Sequence, residues 1–132
     1  MFIRFVCDEI DEDSQVSAGL FCAAAKLMDE VKLSEYEHEV LMESIEWFER
    51  NLRNPYRFRL KPKHVAYRSI CWFRSTATEH VHHAWEMVAI LEERDIFMRM
   101  IKTAVPGYVI YEDEAQVLAF PYNDLRRRLL KQ

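Results

Sequence analysis

The chain of 132 residues contains only two glycines, although glycine makes up about 7% of an average protein. Loops that cradle phosphate groups use several glycines, because their backbone N–H groups must approach the ligand closely. The G-x-G-x-x-G and G-K-[ST] patterns of such loops are absent, and so are G-x-S-x-G, H-E-x-x-H and C-x-x-C. These absences argue against a nucleotide-binding enzyme of the common types and leave no catalytic residue to predict.

Cysteine and long apolar runs are also scarce. The three cysteines, Cys7, Cys22 and Cys71, lie far apart in the sequence, and their odd number suits a reducing compartment better than a disulfide framework. No apolar run approaches the roughly 18 residues of a membrane-spanning helix, and the N-terminal residues lack a small-residue cleavage site. We therefore expect a cytoplasmic protein without membrane contact.

The charge that is present is unevenly distributed. The formal net charge is −4, yet the run from Arg50 to Thr78 holds eight basic residues and no acidic one. We predict that this basic run meets an anion or an acidic partner surface. The predicted partner-binding residues are Arg53, Arg57, Arg59, Lys61, Lys63 and Arg68.

The sequence predicts one α+β domain over residues 1–132. Residues 1–54 form a mostly helical half, with an N-terminal strand and a helical hairpin. Residues 55–68 form a basic extended connector, in which Pro55 and Pro62 limit regular structure. Residues 69–122 form a β-α-β-β-β unit with a small sheet that contains antiparallel strands, and residues 123–132 form a basic tail.

Three helices follow from apolar spacing and capping signals. The first should run from about Gln15 to Val31. The second starts at Ser34, which has capping-box spacing to Glu37, and its outer face carries an acidic ridge: Glu35, Glu39, Glu43, Glu46 and Glu49. The third begins after Thr76, which has capping-box spacing to Glu79, and runs to about residue 93. Its predicted buried stripe comprises Ala77, Val81, Ala84, Trp85, Val88 and Leu91. Met87 and Ile90 lie off this stripe and are available for a modest interface.

The C-terminal part should be a series of strands. Residues 96–103 alternate in polarity as a strand does, and Pro106-Gly107 suits a turn. Residues 108–111 and 116–120 should then pair as a hairpin across Glu112-Asp113-Glu114. Clustered carboxylates at such a tip could bind a cation, but acids also collect there because the tip stays hydrated.

Several segments of this C-terminal part occur together in a known pattern. They are Trp72-Phe73, Thr76-Ala77-Thr78-Glu79-His80, the stretch from Pro106 to Glu114 and Gln116-Val117. The pattern resembles an uncharacterised family of small bacterial proteins. The resemblance implies a bacterial origin and no activity, cofactor or site residue.

A possible metal site lies on the third helix. Glu79, His83 and Glu86 recur at i, i+4 and i+7, and imidazole with carboxylate at that spacing can hold a divalent ion. Glu and His on an outward-facing helix surface are also ordinary solvated residues. The sequence therefore predicts no cofactor, with a divalent metal as the alternative.

Three functions remain open from the sequence. The favoured one is a small non-catalytic interaction or regulatory protein, a homodimer, that uses the basic run to contact an acidic partner surface. Basic residues with interleaved aromatics also suit single-stranded nucleic acid, although the sequence pI of about 5.7 is low for such a domain. The third is a divalent-metal-dependent hydrolase that uses the His/Glu face of the third helix.

Overall fold

The protein is described by a computed structural model over residues 1–10, 17–55 and 68–122. The elements in chain order are β1 (Phe2–Ile10), β2 (Ser17–Gly19), α1 (Leu20–Glu30), α2 (Glu35–Asn51), β3 (Ile70–Arg74), α3 (Thr78–Glu93), β4 (Arg99–Thr103), β5 (Tyr108–Glu112) and β6 (Gln116–Phe120). Helices and an antiparallel sheet thus share one fold, and the predicted α+β class is confirmed.

The sheet has the strand order β2-β1-β3-β6-β5, and β4 pairs with β1. Strand β4 covers one edge of β1 from Phe2, opposite Thr103, to Val6, opposite Arg99. The other edge of β1 is shared between two strands. Residues 2–3 pair with 74–73 of β3, and pairing resumes only at Val6, which lies opposite Gly19 of β2. Strands β1 and β3 therefore separate after Ile3 and leave a wedge in the sheet.

The core lies between β1 and the helices. Ile3, Phe5 and Cys7 alternate along β1, so their side chains share one face, and all three are buried. They belong to one hydrophobic cluster with buried residues of all three helices, among them Leu27 and Leu91. On the other side of β3, all five residues of β6 are buried.

Helix α2 begins as predicted. The backbone N–H of Glu37 donates to Ser34 Oγ at 3.2 Å, and the backbone N–H of Ser34 donates to Glu37 Oε1 at 3.0 Å. This capping box satisfies two helix-end donors. Along the helix, Leu41 and Phe48 are buried at the predicted helical spacing.

Two other helix predictions are wrong at their starts. Helix α1 begins at Leu20 rather than near Gln15, because residues 17–19 pair with β1 as β2. Helix α3 begins after an N-cap at Ala77 with no side-chain cap, so Thr76 does not form the predicted capping box.

The buried face of α3 is also rotated from the predicted one. Met87 and Ile90 are buried, whereas Trp85 is 44% exposed and packs edge-on against Phe5 at 4.9 Å between ring centroids. Helix α3 packs against both α1 and α2, and a helix with two helical neighbours buries a wider face than a single stripe. Met87 and Ile90 are therefore core residues and not part of an exposed interface.

The C-terminal hairpin is confirmed. Strands β5 and β6 pair from Tyr108, opposite Phe120, to Glu112, opposite Val117, with an irregularity between Val109 and Tyr111. Strand β4 is shorter than predicted and begins at residue 99. No helix in the described ranges is long and apolar enough to cross a membrane.

Candidate functional site

The wedge between β1 and β3 opens into a pocket of about 1010 Å³. Residues from β1, β2, β3, β6 and the start of α1 form its walls, together with the C-terminal end of α2 and the residues that follow it. The residues used below are Phe21, Phe48, Phe73, Trp72, Gln116, Arg4, Glu49, Arg50 and Arg53.

Aromatic side chains form much of the apolar wall. Phe21 packs edge-on against Phe48 at 5.0 Å between ring centroids, and Phe48 stacks on Phe73 at 5.8 Å. The three rings come from α1, α2 and β3, so the same packing that joins these elements shapes the wall. Pockets that take small organic ligands are mostly apolar in this way, with a few polar groups.

The charged residues of the wall are predominantly basic. Among the described residues, Arg4, Arg50 and Arg53 line the pocket with one acid, Glu49. Arg50 and Arg53 are exposed, and they follow α2 to its C-terminal end and beyond. A protein with a net charge of −4 therefore presents an excess of positive charge at this pocket.

Two polar groups in the wall differ in how they are satisfied. Gln116 is buried, and its side-chain Nε2 donates to the backbone oxygen of Arg53 at 2.6 Å. This bond fixes the chain after α2 against β6. Trp72 holds its indole Nε1 buried, and this atom has no hydrogen-bond partner among the described residues. Because it is almost fully covered, this atom does not face the open space of the pocket.

Two parts of the basic run, residues 50–55 and 69–73, line this pocket. Arg53 lies on its wall, and half-buried Arg68 directly precedes Ser69, which also lines it. Arg57, Arg59, Lys61 and Lys63 lie outside the described residues.

Arg74, which also belongs to the basic run, forms an ion pair within the chain. Its Nη2 pairs with Glu112 Oε2 at 3.1 Å, and its Nε donates to the backbone oxygen of Asp113 at 2.7 Å. This cation is neutralised within its own chain by the hairpin tip, so the basic run does not act as one uniform surface.

The acidic ridge of α2 faces outward. Its five glutamates, Glu35, Glu39, Glu43, Glu46 and Glu49, are all exposed. Glu37 lies on another face and is buried in a pair with Arg94, whose Nε donates to Glu37 Oε2 at 2.7 Å and whose Nη2 bonds to Glu37 Oε1. Hydrogen bonds from Arg94 and Ser34 lower the pKa of Glu37 to about 2.

The predicted metal-binding residues of α3 have separate surroundings. Glu79 is exposed in the first turn, whereas half-buried His83 stacks on Trp47 of α2 at 4.0 Å between ring centroids. Glu86 lies 3.2 Å from His82 Nε2 and 3.4 Å from His83 Nδ1. Within residues 1–10, 17–55 and 68–122, no group of three His, Cys, Asp or Glu side chains could hold a metal ion. Metal-dependent hydrolysis stays a prediction.

One carboxylate of the hairpin tip, Asp113, stabilises the turn through hydrogen bonds. Asp113 Oδ1 accepts the backbone N–H groups of Ala115 and Gln116 at 2.9 and 3.0 Å, and Asp113 Oδ2 accepts the Tyr111 hydroxyl at 2.8 Å. Burial alone would raise the pKa of Asp113, but these hydrogen bonds outweigh it and lower the pKa. Burial and the bond to Asp113 raise the pKa of Tyr111, while Arg53 acts in the opposite direction.

Sequence reasoning missed the pocket itself. Its wall joins residues as distant in sequence as Arg4, Phe48 and Gln116, and no local pattern reports that β1 and β3 separate. The only local signal of the pocket was the group of aromatic residues in the basic run. From the sequence these residues are interpreted either as core residues or as residues that stack on nucleic-acid bases.

Comparison with known proteins adds no relative: no family model matches the chain, and no curated protein or solved structure matches it either. The resemblance to a bacterial family stays a prediction.

Proposed function

We propose that this protein is a non-catalytic interaction protein that receives an acidic partner surface at the mouth of the wedge pocket. The observation that carries the proposal is the position of the basic run. Two parts of the run, residues 50–55 and 69–73, line the same pocket. Arg50 and Arg53 are described cations of its mouth, Arg68 directly precedes the lining residue Ser69, and Arg57, Arg59, Lys61 and Lys63 belong to the segment between these parts.

A second copy of the chain is the partner that we favour. The exposed ridge of α2 offers five glutamates on one helix face, which is the kind of surface that a cationic mouth requires. Opposite charges on two copies fix register and steer the encounter, and two-fold dimers are the commonest soluble oligomers. We therefore propose a homodimer in the cytoplasm, in which the ridge of each protomer contacts the mouth of the other.

Light scattering over a salt series tests this function. At low salt we expect a mass near twice 15.9 kDa that falls toward the monomer as salt rises, since screening weakens contacts between exposed charges. A mass that does not change with salt contradicts a dimer held by charge.

The same samples distinguish a nucleic-acid partner. Binding to labelled single-stranded or duplex oligonucleotides would fall steeply with salt, because each neutralised phosphate releases counterions. A shift of these oligonucleotides at low salt, with a monomeric protein, would replace the homodimer by the nucleic-acid alternative.

A further inference from the structure

We propose that the wedge pocket binds a small amphipathic carboxylate, a molecule with an aliphatic or aromatic body and one anionic head. This inference adds a ligand to the binding role proposed above and uses the same pocket. The body of the ligand would occupy the interior of the pocket, whereas its head group would use Arg50 and Arg53, which the contact with the ridge of α2 also uses.

The size and the wall of the pocket suit such a body. A volume of about 1010 Å³ is at the upper end of the range in which proteins enclose drug-sized ligands, roughly 300–1,000 Å³. Phe21, Phe48 and Phe73 contact one another in the wall. An apolar body that leaves water for this wall gains about 25 cal/mol for each Å² that it buries.

The charge of the wall selects the sign of the head group. Among the described residues of the wall, Arg50 and Arg53, with Arg4, outnumber the acid Glu49, so these residues favour an anionic head over a cationic one. Arg50 forms no hydrogen bond or ion pair to the described residues, and its guanidinium can hold a carboxylate through two parallel hydrogen bonds. Arg53 lies two residues beyond the end of α2, also lines the pocket and adds positive charge to its rim.

Calorimetric titration with three ten-carbon probes tests the proposal. We expect decanoate, below its micelle concentration, to bind saturably and about tenfold more tightly than decanol, which lacks the charge. Decyltrimethylammonium, with the opposite charge, should bind most weakly. No saturable binding of decanoate, or equal binding of all three probes, would overturn the proposal.

Variants locate the binding. Arg50→Gln removes the charge from an exposed side chain and should weaken decanoate several-fold while decanol is unaffected. Arg99→Gln, on an exposed residue of β4 outside the pocket wall, is the matched control and should change nothing. Equal losses in Arg50→Gln and Arg99→Gln would show a general charge effect and overturn the site.

The two proposals fail separately. Light scattering without decanoate reports the dimer. Titration of decanoate at low salt into a variant with Glu39→Lys and Glu43→Lys, two changes outside the pocket wall, reports the ligand site in a chain that cannot form the charged dimer. Decanoate binding by a chain that never dimerises would leave the ligand site standing and remove the homodimer, and the reverse result would remove the ligand site alone.

Discussion

At the scale of single residues, Glu37 joins two elements. It completes the capping box at the start of α2 with Ser34, and it holds Arg94, which follows the end of α3. A carboxylate that accepts this many hydrogen bonds is favoured in its charged form. The same bonds that fix α2 against α3 therefore lower the pKa of Glu37 to about 2.

The lowered pKa of Glu37 predicts how the stability of the fold depends on pH. Because the folded pKa is about 2 and the ordinary value is 4.5, the bonds of Glu37 contribute in full above pH 4.5 and are lost as pH falls toward 2. We expect Glu37→Gln to lower the thermal midpoint at pH 7 and to flatten its dependence on pH between these values, as measured by circular dichroism. Glu39→Gln, at an exposed position of the same helix, should keep the wild-type dependence. An unchanged acid profile in Glu37→Gln would contradict the assignment.

At the scale of elements, the turn before β5 depends on Gly107. Its φ is +129°, a conformation that other residues rarely adopt. A Cβ there would also lie 2.2 Å from the backbone oxygen of Phe120, so the hairpin partner approaches too closely for any side chain. We expect Gly107→Ala to lower the free energy of unfolding by about 2 kcal/mol or more, as measured by urea denaturation. Ala104→Gly, at an exposed position in the same connection, is the control and should have a much smaller effect.

The elements that could be predicted from the sequence are those with local causes. The capping box of Ser34, the turn at Gly107 and the β5–β6 hairpin each depend on residues a few positions apart, and each is confirmed. The start of α1 was wrong because pairing of residues 17–19 with β1 removes them from the helix. The face of α3 was wrong because burial of Met87 depends on its packing partners, which spacing along one helix does not report.

One part of the candidate site could be predicted from the sequence, and another part could not. Charge counting along the chain found the basic run, and two parts of it, residues 50–55 and 69–73, line one pocket. The pocket exists because β1 and β3 pair only at residues 2–3 with 74–73 and then separate. That geometry joins residues about 70 positions apart, so the pocket could not be predicted from sequence.

At the scale of the whole molecule, the charges of α2 change sign along one stripe. Glu39, Glu43, Glu46 and Arg50 recur at i, i+4, i+7 and i+11 along α2, and Arg53 follows two residues beyond the end of the helix. All five side chains are exposed. The acidic and basic ends of one stripe can therefore meet their opposites on a second copy related by a two-fold axis.

Two charge-reversed variants test whether a second copy is the partner. In the ridge variant, Glu39→Lys with Glu43→Lys makes the ridge basic, and in the mouth variant, Arg50→Glu with Arg53→Glu makes the mouth acidic. Each variant alone sets like charges against each other at both contacts of a homodimer, which costs several kcal/mol in an interface. We expect each to be monomeric by light scattering at low salt.

An equal mixture of the two variants restores both contacts. The basic ridge of one meets the acidic mouth of the other, and the acidic ridge of the second meets the basic mouth of the first. We expect the mixture to form a heterodimer with the mass of the wild-type dimer, since only the pairing of opposite charges is needed. Dimers in either variant alone, or a monomeric mixture of folded variants, would rule out the contact between the ridge and the mouth. A foreign acidic partner would then be the occupant of the basic mouth, and reversal of the ridge would leave its binding unchanged.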